Sequence, residues 1–483
     1  MVSIQPAKSF ATAVAASDRP LRIAQIAPLY ESVPPKLYGG TERIVAYLTE
    51  ELVRRGHEIT LYAAGDSTVR APLKPGWPNS LRLSGLDHLG PVFHLPMLSQ
   101  VYDNADRFDI IHSHVDCLSF PLARTTHVPT VSTLHGRLDT QELLPVYRSY
   151  PDLPMVSISD DQRRPLRELN WVATVHHGLP CDLLKFHPNR GDYLAFLGRI
   201  SPEKRPDLAI EIARRSGIPL KIAAKIDRAD REYYETIIKP LLSRSGVEFI
   251  GEINEAEKQE FLGRALALLF PVDWPEPFGL VMIEALACGT PVIARPCGSV
   301  PEVLRHGLTG YVAASVDDLV DAVKNIDKIS RLACRDEFER RFTVEVMAAN
   351  YERVYHQLTN VSWKMLRPTT PAAKKLSDAA LARYAAAQWH PQVQNLKDVG
   401  LGPLRRADSA ALHESTAKRN GRLRYSRLAR EDHKRFAVDI KNVEPKGDIK
   451  WPQIKKAGSA ASQIKSVRQR VSSDGNEPAS PGN

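Results

Sequence analysis

The stretch PEPFGLVMIEALACGTPVIA, residues 275–294, is the clearest indication of the fold in this sequence. Its centre, FGLVMIEALAC, is an apolar segment of helical length; Pro275 and Pro277 hold its start out of helix, and Gly289 ends it. The apolar runs ALALLFPV before it and TPVIARP after it are typical of buried strands. A buried strand, a helix and a second buried strand in succession predict the repeating unit of a doubly wound parallel sheet.

The same stretch carries two carboxylates whose spacing indicates a ligand site. Glu276 precedes the helix and Glu284 lies within it. On one continuous helix they would point about 80° apart, so they are expected to serve two parts of one ligand. The helix N-terminus favours a phosphate, and Gly279 lets a ligand approach the backbone closely. The pattern indicates hydroxyl-rich groups on both sides of a diphosphate, as in a nucleotide-sugar; the alternative is two ordinary helix carboxylates.

The strand and helix alternation continues outward in both directions. Strand patterns in the first half are LRIAQIAPL, HEITLYAAG, DIIHSH, PTVSTLHG, MVSIS and WVATVHHGL, and those in the second half begin at YLAFLGRI and end at GYVAA. No strand is assigned to the segment from 67 to 100. The predicted fold class is α/β, with two tandem Rossmann-like doubly wound domains that face each other across a cleft.

The domain boundaries follow from changes in composition. We predict a flexible leader (1–19), a first domain (20–180), a polar linker (181–192), a second, nucleotide-sugar-binding domain (193–342), a terminal helix packing back toward the first domain (343–360) and a basic tail (361–483). The tail has 24 Lys and Arg against 11 Asp and Glu and few large apolar residues. It is therefore expected to be largely disordered apart from one helix, SDAALARYAAAQW.

Composition limits the class of protein. The five cysteines form no CxxC pair, which favours a reducing cytoplasm. The apolar part of the leader is mostly alanine and only one lysine precedes it, so we interpret the leader as a flexible segment rather than an export signal. No apolar run approaches the ~18 residues of a membrane span, so any membrane contact is expected to be peripheral, at the inner face and through the tail.

Two cations and a glycine pair strengthen the diphosphate interpretation. Arg199 and Lys204, in FLGRISPEKRPDL, follow the first strand of the second domain, where doubly wound folds hold phosphates. Together they could neutralise a diphosphate without a metal, although a solvated loop paired with Glu203 is the alternative. Gly39 and Gly40, in LYGGTERIV, could bring backbone N–H groups to the same diphosphate from the first domain.

Three histidines form a further group at predicted strand ends. They are His112 and His114 in DIIHSHVD and His135 in STLHG. Alternation along the strand places His112 and His114 on one side. No acidic residues of ligand spacing accompany them, so we expect hydrogen bonds to sugar or acceptor hydroxyls rather than a metal site; the alternative is partly buried histidines whose hydrogen bonds are made within the protein. His176 and His177 are interpreted as structural.

In this order, the motifs resemble the retaining glycosyltransferases of the GT-B fold, family four (glycosyl transferases group 1). The resemblance spans roughly residues 20–360. It rests on GGTE (39–42), DIIHSH (109–114), STLHG (132–136), HHGLPCDLLKFHP (176–188), GRISPEK (198–204) and EPFGLVMIEALACGTPVIA (276–294). One departure is His177, where the family often has Asn before the glycine of a turn.

The resemblance implies a role for each matching residue on the donor side. Arg199 and Lys204 would contact the donor diphosphate, with the backbone of Gly39 and Gly40 beside it. Glu276 would hold the hydroxyls of the donor sugar. The backbone amides of Phe278, Gly279 and Leu280 would support the sugar or phosphate, and Glu284 would bind the ribose.

Near the reacting sugar, the resemblance implies a histidine. His114 is the preferred match, with His112 as the alternative, and His135 is a further candidate for contact with sugar or acceptor. Arg199, Lys204, Glu276 and His114 form the predicted catalytic group.

The implied reaction moves a hexose from a nucleotide-sugar, commonly a UDP- or GDP-hexose, to an acceptor hydroxyl with retention and without a metal or other cofactor. Cell-envelope polysaccharide, glycolipid or a related glycoconjugate would be the product. The acceptor is expected to meet PLYESVPPKLYGG and the segment from 67 to 100. A sugar phosphorylase is disfavoured because no cofactor-lysine segment is present.

A tail that tethers the GT-B body to an anionic membrane or nucleic acid is the alternative function. Runs such as KRNGRLRYSRLAR are basic but have little aromatic interleaving, so no specific nucleic acid is expected.

Overall fold

The computed structural model describes residues 19–36, 39–243 and 245–360. Its first sheet is entirely parallel, with seven strands in the order β3-β2-β1-β4-β5-β6-β7. The strands are β1 (Arg22–Ile26), β2 (Glu58–Ala64), β3 (Leu73–Trp77), β4 (Ile110–Ser113), β5 (Thr130–Thr133), β6 (Met155–Ser157) and β7 (Trp171–Thr174).

The second sheet is also parallel, with six strands in the order β10-β9-β8-β11-β12-β13. They are β8 (Tyr193–Arg199), β9 (Leu220–Lys225), β10 (Val247–Gly251), β11 (Ala265–Phe270), β12 (Val292–Ala294) and β13 (Gly310–Val312). Two doubly wound sheets in tandem confirm the predicted fold class.

Helices connect the strands of both sheets. They are α1 (Gly40–Arg54), α2 (Gly90–Asp103), α3 (Phe120–Ala123), α4 (Leu144–Arg148), α5 (Pro206–Ser216), α6 (Arg231–Tyr233), α7 (Lys239–Leu242), α8 (Glu255–Gly263), α9 (Leu280–Ala287), α10 (Val300–Val303), α11 (Val316–Lys324), α12 (Arg331–Arg341) and α13 (Val344–Asn360). None of the helices in the described ranges is long and apolar enough to cross a membrane.

Helix α1 shows how the apolar pattern builds these layers. Ile44, Leu48 and Leu52, spaced four residues apart, are fully buried against the first sheet. The helix ends before Gly56, whose φ of +92° lies in the region that favours glycine. The same logic holds for α9, which ends before Gly289 at φ +78°, as the sequence indicates.

One strand differs from the sequence-based assignment, and one helix is irregular. Strand β3 lies in the segment where no strand is expected, because Pro75 and Gly76 interrupt the apolar pattern; an edge strand pairs on one side only and tolerates them. Between α6 and α7 the helix widens into a π-helical turn at Tyr234–Ile238. Pro240 follows, and because it has no N–H it cannot continue the regular helical ladder.

Helix α13 returns to the first sheet. Its Tyr351 and Tyr355 are fully buried, and it packs against α1 and β4. The Leu179 N–H donates a hydrogen bond to the Phe342 carbonyl (2.9 Å), and the Leu179 carbonyl accepts one from the Val344 N–H (2.8 Å). The start of α13 is therefore fixed beside the segment that follows β7.

Residues 1–18 of the predicted leader and the whole tail from 361, with its helix and its tether role, lie outside the described residues.

Candidate active site

A cleft between the two sheets is lined by most of the candidate site residues in the sequence motifs. It has a volume of about 630 Å³, and its walls follow the carboxyl ends of strands from both sheets. The predicted site residues that line it are Gly39, Gly40, His114, His135, Arg199, Lys204, Glu276, Phe278, Gly279, Leu280 and Glu284. Their individual roles stay predictions, but they surround one space.

The start of α9 is open toward this space. Gly279, at the N-cap, has φ +77°, and a Cβ there would lie 2.8 Å from Met282 Cε and 3.0 Å from the Phe270 ring. The backbone conformation therefore favours glycine, while the packing contacts are with side chains that can shift. No side chain caps the helix, so its first N–H groups are available to an anion.

Lys204 and Glu276 form an ion pair on the second-domain wall. Trp274 Nε1–H donates to the same carboxylate oxygen, Oε2, at 2.9 Å, and Lys204 Nζ lies 5.0 Å from the Trp274 ring centre. Both charged side chains are largely buried, at 16% and 9% exposure. The pair keeps the cation and the carboxylate in place, and an incoming diphosphate would compete with Glu276 for the ammonium group.

Arg199 is held by three carboxylates. Its guanidinium lies 2.7 Å from Glu203, 3.4 Å from Asp227 and 3.6 Å from Asp230. The pairing with Glu203 that the sequence leaves open is thus present. To grip a diphosphate, Arg199 must exchange part of this network for phosphate oxygens.

A charge network missed by the sequence analysis joins the two domains beside Glu284. Lys258 Nζ lies 2.7 Å from Glu284 Oε1 and 3.3 Å from Glu255, and Glu255 is ion-paired across the cleft with Arg43 of α1. Lys258 and Glu255 lie on α8, whose start is marked by a capping box at Asn254. That capping signal, in a helix following a strand of the second sheet, could have placed α8 at the cleft.

His114 and His135 form a hydrogen-bonded chain that starts at a buried amide. His114 Nε2 lies 2.8 Å from Gln25 Oε1, and His114 Nδ1 lies 2.9 Å from His135 Nε2. Burial lowers the pKa of His114 well below its ordinary value and that of His135 to about 3, so both rings are neutral. Because Gln25 Oε1 only accepts, His114 Nε2–H donates to it and His135 Nε2–H donates to His114, leaving a lone pair on His135 Nδ1.

His112 does not line the cleft. As expected from alternation it lies beside His114, with ring centres 4.0 Å apart, but it is fully buried. Its Nδ1 lies 2.7 Å from the Tyr355 hydroxyl and its Nε2 2.7 Å from Thr133 Oγ1. Both ring nitrogens are thus occupied within the protein, and the alternative assignment of His112 to a sugar contact finds no support in this geometry.

Two carboxylates that the sequence analysis assigned no role also line the first-domain wall. Glu42, in the first turn of α1, is buried, and burial raises its pKa to about 7. Asp116 has a left-handed φ of +55°, and the Tyr147 hydroxyl donates to its Oδ1 at 2.7 Å. For Asp116 the signal is its position two residues after His114 at a strand end; strained residues of this kind collect at functional sites.

Within the described ranges, no group of three or more His, Cys, Asp or Glu side chains could hold a metal ion.

Comparison with known families agrees with the fold and the motifs. The sequence model for Glycosyl transferases group 1 matches residues 185–342, and that for Glycosyltransferase Family 4 matches residues 38–175. The first covers the second-domain wall, and the second covers most of the first-domain wall.

Individual relatives match over most of their length. A phosphatidyl-myo-inositol mannosyltransferase of Mycobacterium leprae (strain TN) is 25% identical over 383 residues, which is 71% of this chain and 99% of the relative. A D-inositol 3-phosphate glycosyltransferase of Mycobacterium bovis (strain BCG / Pasteur 1173P2) is 23% identical over 411 residues, which is 70% of this chain and 85% of the relative.

Among solved structures, the Anabaena protein Alr3699/HepE in complex with UDP and glucose has the same fold, with a TM-score of 0.55. It is 16% identical, over 70% of this chain and 100% of that chain. With two family models that span the cleft and a shared fold, the chain belongs to the family-four glycosyltransferases of the GT-B fold.

Proposed function

We propose that this protein transfers a hexose from a nucleoside-diphosphate sugar to an acceptor hydroxyl, with retention at the anomeric carbon and without a metal ion. The observation that carries the proposal is the convergence of Lys204, Glu276 and the open N-terminus of α9 on one wall of the cleft. A cation beside unpaired N–H groups suits a diphosphate, and a carboxylate beside them suits sugar hydroxyls.

The second-domain wall would promote departure of the diphosphate. When the bond between the anomeric carbon and the phosphate oxygen breaks, its electron pair stays on the phosphate. Lys204 and the α9 N-terminus lie where they can stabilise that charge, and Arg199 can join them by giving up part of its carboxylate network. Glu276, released by Lys204, would accept hydrogen bonds from the sugar and stabilise the positive charge on its ring.

Transfer then requires an acceptor hydroxyl on the face that the diphosphate leaves. Its oxygen forms the new bond to the anomeric carbon, and its proton passes to a phosphate oxygen of the leaving group. The products are the glycosylated acceptor and the nucleoside diphosphate, and the configuration is retained. The neutral histidines of the first-domain wall can hydrogen-bond hydroxyls in this step without adding charge.

The relatives support the donor and acceptor classes. UDP and glucose are bound in the Anabaena structure, and the Mycobacterium leprae relative is named for mannosyl transfer, which supports a UDP- or GDP-hexose donor. Both mycobacterial relatives are named for inositol-containing acceptors. We extend this to a polyhydroxylated acceptor in glycolipid or cell-envelope polysaccharide synthesis.

A donor screen tests the proposal. UDP- and GDP-hexoses are added to the full chain in the presence of EDTA, and the unfolding temperature and the release of nucleoside diphosphate are measured. One donor is expected to raise the unfolding temperature, since a ligand at 100 times its Kd adds about 2.7 kcal/mol to the stability. The anomer of the transferred product then reports retention.

Matched variants separate the cleft from the rest of the surface. Lys204→Ala should abolish most of the donor-induced stabilisation, while Lys328→Ala, an exposed lysine of the second domain, should leave it unchanged. If no nucleotide-sugar stabilises the wild-type protein, or if both variants respond alike, the proposal is wrong.

A further inference from the structure

His177 occupies a place in the cleft that its sequence interpretation as a structural residue does not explain. The side chain lines the cleft but is only 4% exposed. Its ring stacks on His135, with centres 5.2 Å apart and planes 17° apart, and meets Phe278 edge-on at 4.9 Å. His177 therefore lies between the histidine chain of the first domain and the residue that precedes Gly279.

The ring of His177 makes no hydrogen bond to any of the described residues. Its Nδ1 is completely buried without a partner, whereas its Nε2 is not among the buried unpartnered atoms and so retains contact with the cleft. Burial lowers its pKa well below the ordinary value, so the ring is neutral. A buried polar group with no partner is costly, and in native proteins it usually marks an interaction that a ligand or water completes.

The backbone around His177 holds this ring in place. A Cβ at Gly178 would lie 2.2 Å from the Thr343 carbonyl oxygen, so the chain passes directly against the start of α13. Leu179 is hydrogen-bonded on both sides, to Phe342 and Val344. The ring is thus pre-organised, and little conformational entropy is lost when it binds a ligand.

The neighbours of His177 identify the part of the ligand that it faces. Phe278 separates it from the N-cap of α9, where the diphosphate is proposed to bind, and Glu276 is two residues before Phe278. His135, on its other face, also has an unpartnered Nδ1. Both Nδ1 atoms are buried, so His177 Nε2 is the atom that a ligand in the cleft can reach. A hydroxyl matches it, because a hydroxyl both donates and accepts and so suits either tautomer of the ring.

We propose that His177 binds a hydroxyl of the transferred sugar and so contributes to the choice of donor sugar. The proposal rests on the proposed function of the cleft and adds a residue to it. On this view, the replacement of the turn asparagine by histidine serves the sugar rather than only the turn. The complementary ligand group is a ring hydroxyl in one particular orientation, which an epimer of the sugar would lack.

His177→Phe tests the proposal because it keeps the stacked ring and removes both nitrogens. Binding of UDP, UDP-glucose, UDP-galactose, GDP and GDP-mannose to the full chain is measured by calorimetry. For the best sugar donor, we expect the variant to bind about tenfold more weakly, while its affinity for the matching nucleoside diphosphate changes less than twofold. Discrimination between UDP-glucose and UDP-galactose, where present, should shrink.

Two further variants complete the experiment. His177→Asn retains hydrogen-bonding atoms and is expected to recover part of the affinity that His177→Phe loses. If His177→Phe folds poorly, the binding of His177→Asn is compared directly with that of the wild type. His127→Phe makes the same change at a histidine with an exposed side chain and should bind every ligand like the wild type.

Each other outcome counts against the proposal. Unchanged binding of the sugar donor in His177→Phe overturns it and leaves the glycosyltransferase cleft intact. An equal loss for the sugar donor and for the nucleoside diphosphate also overturns it, since it shows a structural role. If the wild-type protein binds none of the five ligands, the proposed function of the cleft is wrong, and the role of His177 is wrong with it.

Discussion

Two groups of side chains in the cleft differ in kind: the paired charges of the second-domain wall, called the charged wall below, and the histidines with Glu42 of the first-domain wall, called the neutral wall, beside which cations such as Arg43 also lie. On the second-domain wall the groups are charged and paired: Lys204 with Glu276, and Lys258 with Glu284. On the first-domain wall the histidines are neutral, and the pKa of Glu42 is raised to about 7. Paired charges can exchange partners with an anionic diphosphate, whereas neutral groups can hydrogen-bond hydroxyls without repelling or trapping charge.

Because charged and neutral groups are separated in this way, one cleft can hold both a highly charged donor and an uncharged reacting group. The charged wall costs little in the free protein because every cation named above has a carboxylate within 4 Å. On the neutral wall, burial keeps the histidines unprotonated, so the free-energy cost of a buried charge does not arise. Four substitution experiments test this contrast between the walls.

Loss of a cation from the charged wall should have the largest effect. Lys204→Ala or Arg199→Ala is expected to lower kcat/KM for the donor by about 2–4 kcal/mol, because a group that stabilises the developing phosphate charge is lost. Steady-state kinetics with the donor from the screen measures it. Lys328→Ala is the control, and near-wild-type turnover in both cleft variants would contradict the role of the charged wall.

Glu42 tests whether the first-domain wall avoids charge. Its folded pKa of about 7 lies above its unfolded value, so its contribution to stability is complete below about pH 4.5 and is lost as the pH rises through 7. Glu42→Gln should therefore be more stable than the wild type at pH 8, by roughly 2–3 kcal/mol, and similar to it near pH 4.5. Urea unfolding at several pH values measures the difference.

The control for that experiment is Glu58→Gln, an exposed carboxylate at the start of β2. Its stability relative to the wild type should vary little across the same pH range. A Glu42→Gln difference that is constant with pH would show that folding does not raise the pKa of Glu42, and the contrast between the walls would fail.

The ion pair between Arg43 and Glu255 is one of the contacts between the two walls, and it tests whether the walls act as a unit. Arg43→Glu and Glu255→Arg should each weaken donor binding, by about 1–2 kcal/mol, because each leaves a partly buried charge facing its own sign. The double variant should recover much of that loss. Additive losses in the double-mutant cycle would mean that the pair does not couple the domains.

How much of this could be read from the sequence differs between the walls. Most of the charged wall follows from local patterns: a strand, a turn with Pro275 and Pro277, and a helix place Glu276 and Glu284, and the loop after β8 places Arg199 and Lys204. Lys258, the partner of Glu284, was not predicted. These elements have regular periods and clear start and stop signals.

The neutral wall depends on long-range packing that no local pattern encodes. Whether His112 or His114 reaches the cleft is decided by Tyr355, which lies 243 residues from His112 in sequence and occupies its Nδ1. Likewise, His177 becomes a cleft residue only because α13 holds the following turn against the first domain. Strand β3 was not predicted for a local reason: Pro75 and Gly76 interrupt the alternating pattern that would indicate a strand.

The smallest expected effect concerns the group behind the neutral wall. Tyr355→Phe removes the hydroxyl that contacts His112 and Gln25, so it should lower the free energy of unfolding by about 1 kcal/mol through a lost buried hydrogen bond. Donor binding should stay unchanged if His112 is only structural. Because Gln25 also orients His114, a change in kcat with unchanged donor affinity would instead show that the hydrogen-bond chain from α13 reaches the reacting sugar. Parallel unfolding and kinetic measurements on this one variant therefore decide whether the neutral wall ends at His114 or extends to the terminal helix.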